Sequence, residues 1–356
     1  MNLLIDGPSR SGKLLLAKTL LTSPNIAFQH YSGDLERILE ALWFTVESQT
    51  TYYKILELMR INMVHTFEDL RQSRQLSLNA NDSSYYKKSA FYDIHELKLN
   101  AGISANEIDS CARFIIHTHE CVLFLNSLLK ESGFLKFLSN QIRTYISVVR
   151  NPSAQIVSWI NRDYTRFWNS KSMSISPFTQ YPSQFNLRAA YDEGVDRFPW
   201  YIDQSLKYYI ERDYIDNKQV EKLLPDDLIA ISVCYLTSHY LDLVESENSE
   251  AASREINNSV FRFVVFHETI HDSKCANIKS ILDELGYRIS PQRFNEVIKT
   301  ELSPSRFGIS SIAESLVQAT DRISSQTIKN ILNLQASRYE SALIEYGEPK
   351  STVLGQ

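Results

Sequence analysis

The segment GPSRSGKLL at residues 7–15 has residue types whose spacing suits an anion. Gly7, Gly12 and Lys13 match the pattern G-x-x-x-x-G-K-[ST], which cradles phosphate groups in nucleotide-binding loops. A glycine-containing turn between a strand and a helix directs several backbone N–H groups at one point, where the helix dipole also favours negative charge. Arg10 and Lys13 add positive charge to the turn. The segment therefore predicts a loop that binds phosphate or sulfate.

Leu14 departs from this pattern, because metal-dependent nucleotide enzymes have a Ser or Thr there whose hydroxyl binds magnesium. Such enzymes also usually have an Asp at the end of a neighbouring strand. Here the corresponding strand ends in the letters FIIHTH, with histidines. Both features argue against a metal–nucleotide site, and we expect no bound metal.

A second segment, ISVVRNPSAQIVSWINR, joins an apolar strand to a helix. The strand ends at Arg150, and Pro152 suits the first position of a helix. Ser158 lies about two helical turns further on. Arg150 is thus expected at the carboxyl end of a strand, where parallel α/β sheets bind ligands. A guanidinium and a hydroxyl could bind a second phosphate, although an Arg-Asn-Pro helix start also occurs without any ligand.

A third segment, RFIIHTHE, predicts a strand that ends at His117, with His119 just beyond its carboxyl edge. A neutral imidazole can accept the proton of a hydroxyl group near pH 7. His119 is therefore the first candidate for a general base. His117 and two carboxylates after the second predicted strand, Asp34 and Glu36, are the alternatives. A histidine at such a place can also be purely structural.

Together these segments resemble the sulfotransferase family, whose sulfuryl donor is 3′-phosphoadenosine 5′-phosphosulfate. The family's loop P-[KR]-S-G-T-T is similar to residues 9–14, and its strand–Arg-Asn-Pro–helix with a later Ser is similar to the segment of Arg150 and Ser158. Cytosolic members have a Thr-His pair that supplies the base, matched by Thr118 and His119. The segment VFRFVVFHETIHD resembles a further strand-then-helix pattern of the family. The resemblance implies a metal-independent transfer of a sulfuryl group to a hydroxyl or amine.

The resemblance also implies where the donor binds. The 5′-phosphosulfate would lie on the loop and the 3′-phosphate on a second group of residues. The loop group is Ser9, Arg10, Ser11, Gly12, Lys13 and Leu14, and the second group is Arg150 and Ser158, with Arg306 and Gly308 of the segment LSPSRFG as further candidates. The catalytic residues implied are His119, Arg10 and Lys13. The acceptor would be a small molecule, a carbohydrate or a carrier-linked group.

The chain departs from the family at both loop threonines, which are replaced by Lys13 and Leu14. Lys13 restores the lysine of nucleotide kinases, so a P-loop kinase acting on a small molecule or nucleoside is an alternative. A second alternative, motivated by the two lost threonines, is an inactive nucleotide-binding scaffold protein.

Five short apolar or β-branched runs separated by helical patterns have the βαβ rhythm of a parallel sheet with helices on both faces. These runs are residues 2–6, 25–29, 113–117, 144–149 and 261–266. We expect a three-layer αβα fold similar to P-loop NTPases, with a central, mainly parallel sheet of about five strands. Residues 1–346 would form one domain with helical insertions at about 45–110 and 163–258. Residues 347–356 would be a tail.

The composition is that of an ordinary globular protein, with 43% apolar and 22% charged residues among 356. A formal charge of −5 gives no reason to expect nucleic acid as a partner. Four scattered cysteines without C-x-x-C spacing suggest reduced thiols. We expect no membrane span, since no stretch of about 18 uncharged apolar residues occurs. Because the first strand begins near residue 2, we also expect no signal peptide and a cytoplasmic location. Nothing in the sequence predicts an oligomeric state.

Overall fold

The structure of the chain is a computed structural model. The described residues are 2–8, 10–20, 26–31, 33–46, 48–72, 113–118, 121–128, 131–161, 198–247, 261–270, 278–279, 281, 283 and 312–347. Structural statements below concern these residues.

Helices form the larger part of the described chain, and the strands are short. The strands are β1 (Asn2–Asp6), β2 (Ile26–Tyr31), β3 (Arg113–His117), β4 (Ile142–Val149) and β5 (Phe261–Phe266). The helices are α1 (Lys13–Leu20), α2 (Gly33–Phe44), α3 (Gln49–Gln72), α4 (Val122–Leu128), α5 (Ser132–Gln141), α6 (Pro152–Ile160), α7 (Phe198–Ile210), α8 (Asn217–Val220), α9 (Pro225–Glu247), α10 (His267–Ile270), α11 (Ile312–Arg322) and α12 (Gln326–Tyr346).

The strands lie in the order β2-β3-β1-β4-β5, and neighbouring strands are parallel. The prediction of a mixed α/β chain with a parallel sheet is therefore confirmed. β1, β3 and β5 have the predicted bounds. β2 continues to Tyr31, two residues beyond its apolar run, because His30 and Tyr31 pair with the end of β3. β4 begins two residues earlier than predicted, at Ile142, which pairs with Asn2.

One face of the sheet and the helix α1 share a buried apolar core. Side chains of a strand alternate between the two faces, and Leu3 and Ile5 of β1 point to the same side as Ile146 and Val148 of β4. Leu16, Ala17 and Leu20 of α1 pack against them with no exposed surface. This packing holds the start of α1 at the carboxyl end of β1.

The chain forms two compact units, which we describe separately. The first comprises Met1–Val149, Asp242–Gly308 and Glu345–Gln356 and contains the sheet. The second comprises Arg150–Leu241 and Ile309–Ile344, and its described elements are helical. The proposed single domain over residues 1–346 stays a prediction.

In the second unit, the carboxylate of Asp227 joins the starts of two helices. Its Oδ2 accepts the N–H of Leu224 at 2.9 Å, immediately before α9. Its Oδ1 accepts the N–H groups of Ser324 and Ser325 at 2.8 and 3.0 Å, immediately before α12. The side chain has no exposed surface. The negative charge thus satisfies otherwise unpaired N–H groups at two positive helix ends.

Replacing Asp227 by alanine should lower the free energy of unfolding by about 2–4 kcal/mol, because buried N–H groups lose a charged acceptor. Urea denaturation of the variant and the wild type would measure this. Asp226→Ala is the matched control, since Asp226 lies in the same turn, and burial raises the pKa of its carboxyl. Its free energy of unfolding should change by less than about 1 kcal/mol. Equal losses for the two variants would contradict the assigned role of Asp227.

Residues Pro225–Glu245 of α9 are the one stretch, among the described helices, long and apolar enough to cross a membrane. However, 89% of its apolar window is buried inside the protein. Helices that are apolar on all sides also occur in the cores of large globular proteins.

Candidate anion-binding site

The predicted loop lies between the end of β1 and the start of α1. Gly7 packs so closely that a Cβ there would collide with the carbonyl oxygen of Val148 in β4 and would lie 2.7 Å from Ser11 Oγ. Only glycine fits this approach without moving the neighbouring strand. The first glycine of the motif therefore lets the chain turn tightly over β4.

The backbone of the loop adopts two left-handed conformations, at Arg10 (φ 70°) and Gly12 (φ 97°). Left-handed backbone is unfavourable for residues with a Cβ, and such conformations cluster at ligand-binding turns. Pro8 accepts the N–H of Ser11 at 3.1 Å, which closes the turn. The carbonyl of Gly12 accepts the N–H of Leu16 at 3.0 Å, so α1 begins directly after Gly12.

Two polar side chains of the motif are buried in the loop. The ammonium of Lys13 is 4% exposed and donates to the carbonyl oxygens of Gly7 and Pro8, the latter at 3.0 Å. The hydroxyl of Ser11 has no exposed surface and no hydrogen-bond partner among the described residues. Burying a hydroxyl without a partner is costly. A bound oxyanion at this place would supply the missing partner.

Asp6 fixes the carboxyl end of β1 to the end of β3. Its Oδ1 accepts the hydroxyl of Thr118 and the N–H of Cys121, each at 3.0 Å, and its carboxylate is fully buried. The N–H of Thr118 donates to the carbonyl of Ile5 at 2.9 Å. Cys121 immediately precedes α4, so the charge also lies at a helix N-terminus, where it is favourable. Thr118, the residue before His119, is therefore anchored beside the start of the loop.

His267, which the sequence motifs did not indicate, lies against Gly12. A Cβ on Gly12 would collide with Nδ1 of His267 and would lie 2.8 Å from its Cε1. His267 directly follows β5 and is 6% exposed. Its position directly after an apolar strand run is typical of ligand-binding residues in parallel sheets. Its contact with the loop, however, depends on the order of the strands, which no local pattern predicts.

Arg150 and Ser158 belong to the second unit, at the start and in the body of α6. Arg150 is buried, with 8% of its surface exposed. Asn151 caps α6, because its Oδ1 accepts the N–H groups of Ser153 and Ala154 at 2.9 and 3.3 Å. Pro152 is the first helical residue, as predicted. Ser158 is partly exposed on the same helix.

A cleft of about 320 Å³ lies beside α6 within the second unit. It is lined by Val157, Ile160, Asn161, Gln318, Asp321 and Arg322. These residues come largely from the carboxyl-terminal ends of α6 and α11. The negative ends of two helix dipoles disfavour an anion, so this cleft is a poor phosphate site despite its arginine.

Several predicted site residues lie outside the described part of the chain. These are Ser9, His119, Arg306 and Gly308. Leu14 lies in α1, Asp34 in α2 and His117 in β3, but their side chains are outside the described set. Glu36 is buried in α2, with 4% of its surface exposed. The structure thus brings together Ser11, Gly12 and Lys13 of the predicted loop group, with Arg10 exposed at its surface.

The described residues contain no group of three or more His, Cys, Asp or Glu side chains that could hold a metal ion.

The loop fits the phosphosulfate of the predicted donor in three respects. Its hydroxyl at Ser11 lacks a hydrogen-bond partner among the described residues, its ammonium at Lys13 is positive, and the first N–H groups of α1 have no partner within the helix. Among the described residues, Cys121 and Cys234 are buried and form no disulfide.

No protein-family model matches the chain, and no curated protein is significantly similar to it.

Proposed function

We propose that the chain is a sulfotransferase that moves a sulfuryl group from 3′-phosphoadenosine 5′-phosphosulfate to a hydroxyl or amine. The observation that carries the proposal is the loop at the start of α1, where the buried hydroxyl of Ser11 lacks a partner among the described residues. Lys13 places a buried positive charge in the same loop. Such a loop suits an anionic group that arrives without a metal.

In this proposal the two threonine replacements change how the loop binds its anion. A threonine hydroxyl contributes one neutral donor, whereas the ammonium of Lys13 contributes a charge and three donors. On binding, Lys13 would exchange the carbonyl of Pro8 for an oxygen of the donor. The exposed side chain of Arg10 would add a second positive charge at the rim of the loop.

The remaining assignments extend the proposal to the whole donor and the acceptor. Arg150, which directly precedes the cap of α6, and Ser158 of α6 would bind the 3′-phosphate, with Arg306 and Gly308 as further contacts. His119 would take the proton of the acceptor. The donor supplies an activated sulfuryl group with its own leaving group, and the protein positions the reactants and stabilises spread negative charge. We also propose that residues 1–346 form one three-layer αβα domain around a sheet of about five strands.

A transfer assay tests this proposal directly. The full chain is incubated with radiolabelled sulfuryl donor and a panel of phenols, sugars and amines, in the presence of EDTA. We expect label to pass to at least one acceptor, because no magnesium is required. Transfer from labelled ATP that depends on added magnesium would instead contradict the proposal.

The second candidate is a P-loop kinase, and the observation that favours it is the position of Lys13. Its buried ammonium follows Gly12, as in the loops of nucleotide kinases. This candidate needs a magnesium site that Leu14 cannot help to form. Magnesium-dependent binding of ATP would support it, and metal-independent binding of the sulfuryl donor would not.

A further inference from the structure

His267 and Gly12 are in close contact at the N-terminus of α1. The nearest atoms to a Cβ on Gly12 would be Nδ1 and Cε1 of the imidazole. Gly12 directly precedes α1, and its left-handed backbone (φ 97°) turns the chain into the helix. The ring therefore lies at the positive end of the helix dipole, beside the N–H groups of the first helical turn.

A second observation points to a ligand at this place. Ser11, next to Gly12, has a fully buried hydroxyl without a hydrogen-bond partner among the described residues. The side chains of Ser11 and Lys13 both lie beside Gly7. A Cβ placed on Gly7 would be 2.7 Å from Ser11 Oγ and 3.3 Å from Lys13 Cδ. A hydroxyl, an ammonium and an imidazole thus surround one short turn. All three can donate hydrogen bonds to an oxyanion.

The carboxylate nearest to the loop in the chain is directed elsewhere. Asp6 precedes Gly7, but its Oδ1 accepts from Thr118 and Cys121. Its side chain also lies on the opposite face of β1 from Ile5, which packs against the α1 side of the sheet. Its Oδ2 accepts the hydroxyl of Tyr145 in β4 at 3.5 Å. The carboxylate of Asp6 is therefore bound by groups of β4 and of the segment after β3.

We infer that His267 is a ligand-binding residue of the loop and donates a hydrogen bond from its imidazole to the oxyanion bound there. The ligand class is a phosphate or sulfate group, either free or as part of a nucleotide. The inference rests on the proposed function for the identity of the anion. It adds a group from the start of α10, directly after β5, to a site whose other members come from the turn after β1. His267 thereby links the end of a distant strand to the loop.

The test uses the full chain with histidine side chains labelled for NMR and inorganic sulfate as the probe. The imidazole resonances of His267, assigned with the variants below, should shift on addition of sulfate and not on addition of sodium chloride at equal ionic strength. His267→Phe should weaken binding of sulfate and of 3′,5′-diphosphoadenosine by about 10- to 150-fold, the effect of one hydrogen bond to a charged group. His267→Gln keeps a donor and should restore part of the affinity.

His239→Phe is the matched control. His239 packs against Tyr235 in the second unit, with ring centroids 4.6 Å apart, and its replacement should leave the affinities unchanged. Two results together would overturn the inference and leave the proposed function standing. These are a wild-type affinity in His267→Phe, and imidazole resonances of His267 in the wild type that do not shift on addition of sulfate. If the wild type binds neither ligand, both are overturned. Should His267→Phe fail to fold, the resonances of the wild type and the affinity of His267→Gln still decide.

Discussion

Replacing Gly12 by alanine should weaken binding of 3′,5′-diphosphoadenosine by about 100-fold or more. A Cβ at φ 97° is strained, and it would collide with the ring of His267. Strained backbone of this kind costs about 1–3 kcal/mol, and displacement of the ring adds to that cost. Since about 1.4 kcal/mol is a tenfold change in affinity, the expected 100-fold loss corresponds to a combined cost of about 2.8 kcal/mol in forming the bound loop. Isothermal titration calorimetry on the full chain would measure the loss.

Gly133 offers a matched control for this substitution. It lies in α5, where a Cβ would meet its nearest neighbour, Tyr53, at 3.5 Å, an ordinary contact. Gly133→Ala should therefore keep wild-type affinity and raise the free energy of unfolding by up to about 1 kcal/mol, because alanine favours a helix. Circular dichroism of both variants separates lost binding from lost folding. A folded Gly12→Ala variant with affinity within about threefold of the wild type would show that the loop is not the binding site.

Replacing His119 by alanine should lower turnover by about 10²–10⁴-fold, the usual contribution of a positioned general base. His119 lies outside the described residues, but it follows Thr118, which is hydrogen-bonded to Ile5 and Asp6 at the end of β1. The chain thus leaves β3 beside the loop that is proposed to bind the donor. His119→Gln should be nearly as poor, since an amide cannot accept the proton. Donor affinity should stay within a few-fold in both variants.

The competing bases are Asp34 and Glu36, both in α2. Their alanine variants should be assayed beside His119→Ala, with the same acceptor. The wild-type rate should rise with pH through a group near the ordinary imidazole value of about 6.5. If His119→Ala keeps more than about a third of wild-type turnover while Asp34→Ala or Glu36→Ala loses almost all of it, the base belongs to α2.

Local sequence patterns predicted the strands well, because each strand is a short apolar run buried in a parallel sheet. Phe261–Phe266 and Arg113–His117 were predicted with their observed bounds. The pattern was less successful where pairing extends a strand past its apolar residues. His30 and Tyr31 belong to β2 since they pair with Ile116 and His117, and a polar residue gives no local sign of this.

The candidate site was predictable where its residues follow one another in the chain. Gly7, Gly12 and Lys13 are marked by their spacing, and the structure places the three in one turn. His267 was not predictable in the same way, since it reaches Gly12 only through the position of β5 two strands from β1. The role of Asp6 was missed for a similar reason, because its partners Thr118 and Cys121 come from the neighbouring strand's end.

The central proposal is that the chain binds, without metal, a donor with phosphate groups at both its 3′ and 5′ positions. Calorimetric titration of the full chain with 3′,5′-diphosphoadenosine and with adenosine 5′-monophosphate, both in EDTA, tests it most directly. We predict that the bisphosphate binds about 10- to 150-fold more tightly, because Arg150 and Ser158 add a charge-assisted contact to the 3′-phosphate. Equal affinities for the two nucleotides, or binding that appears only with added magnesium, would contradict the account.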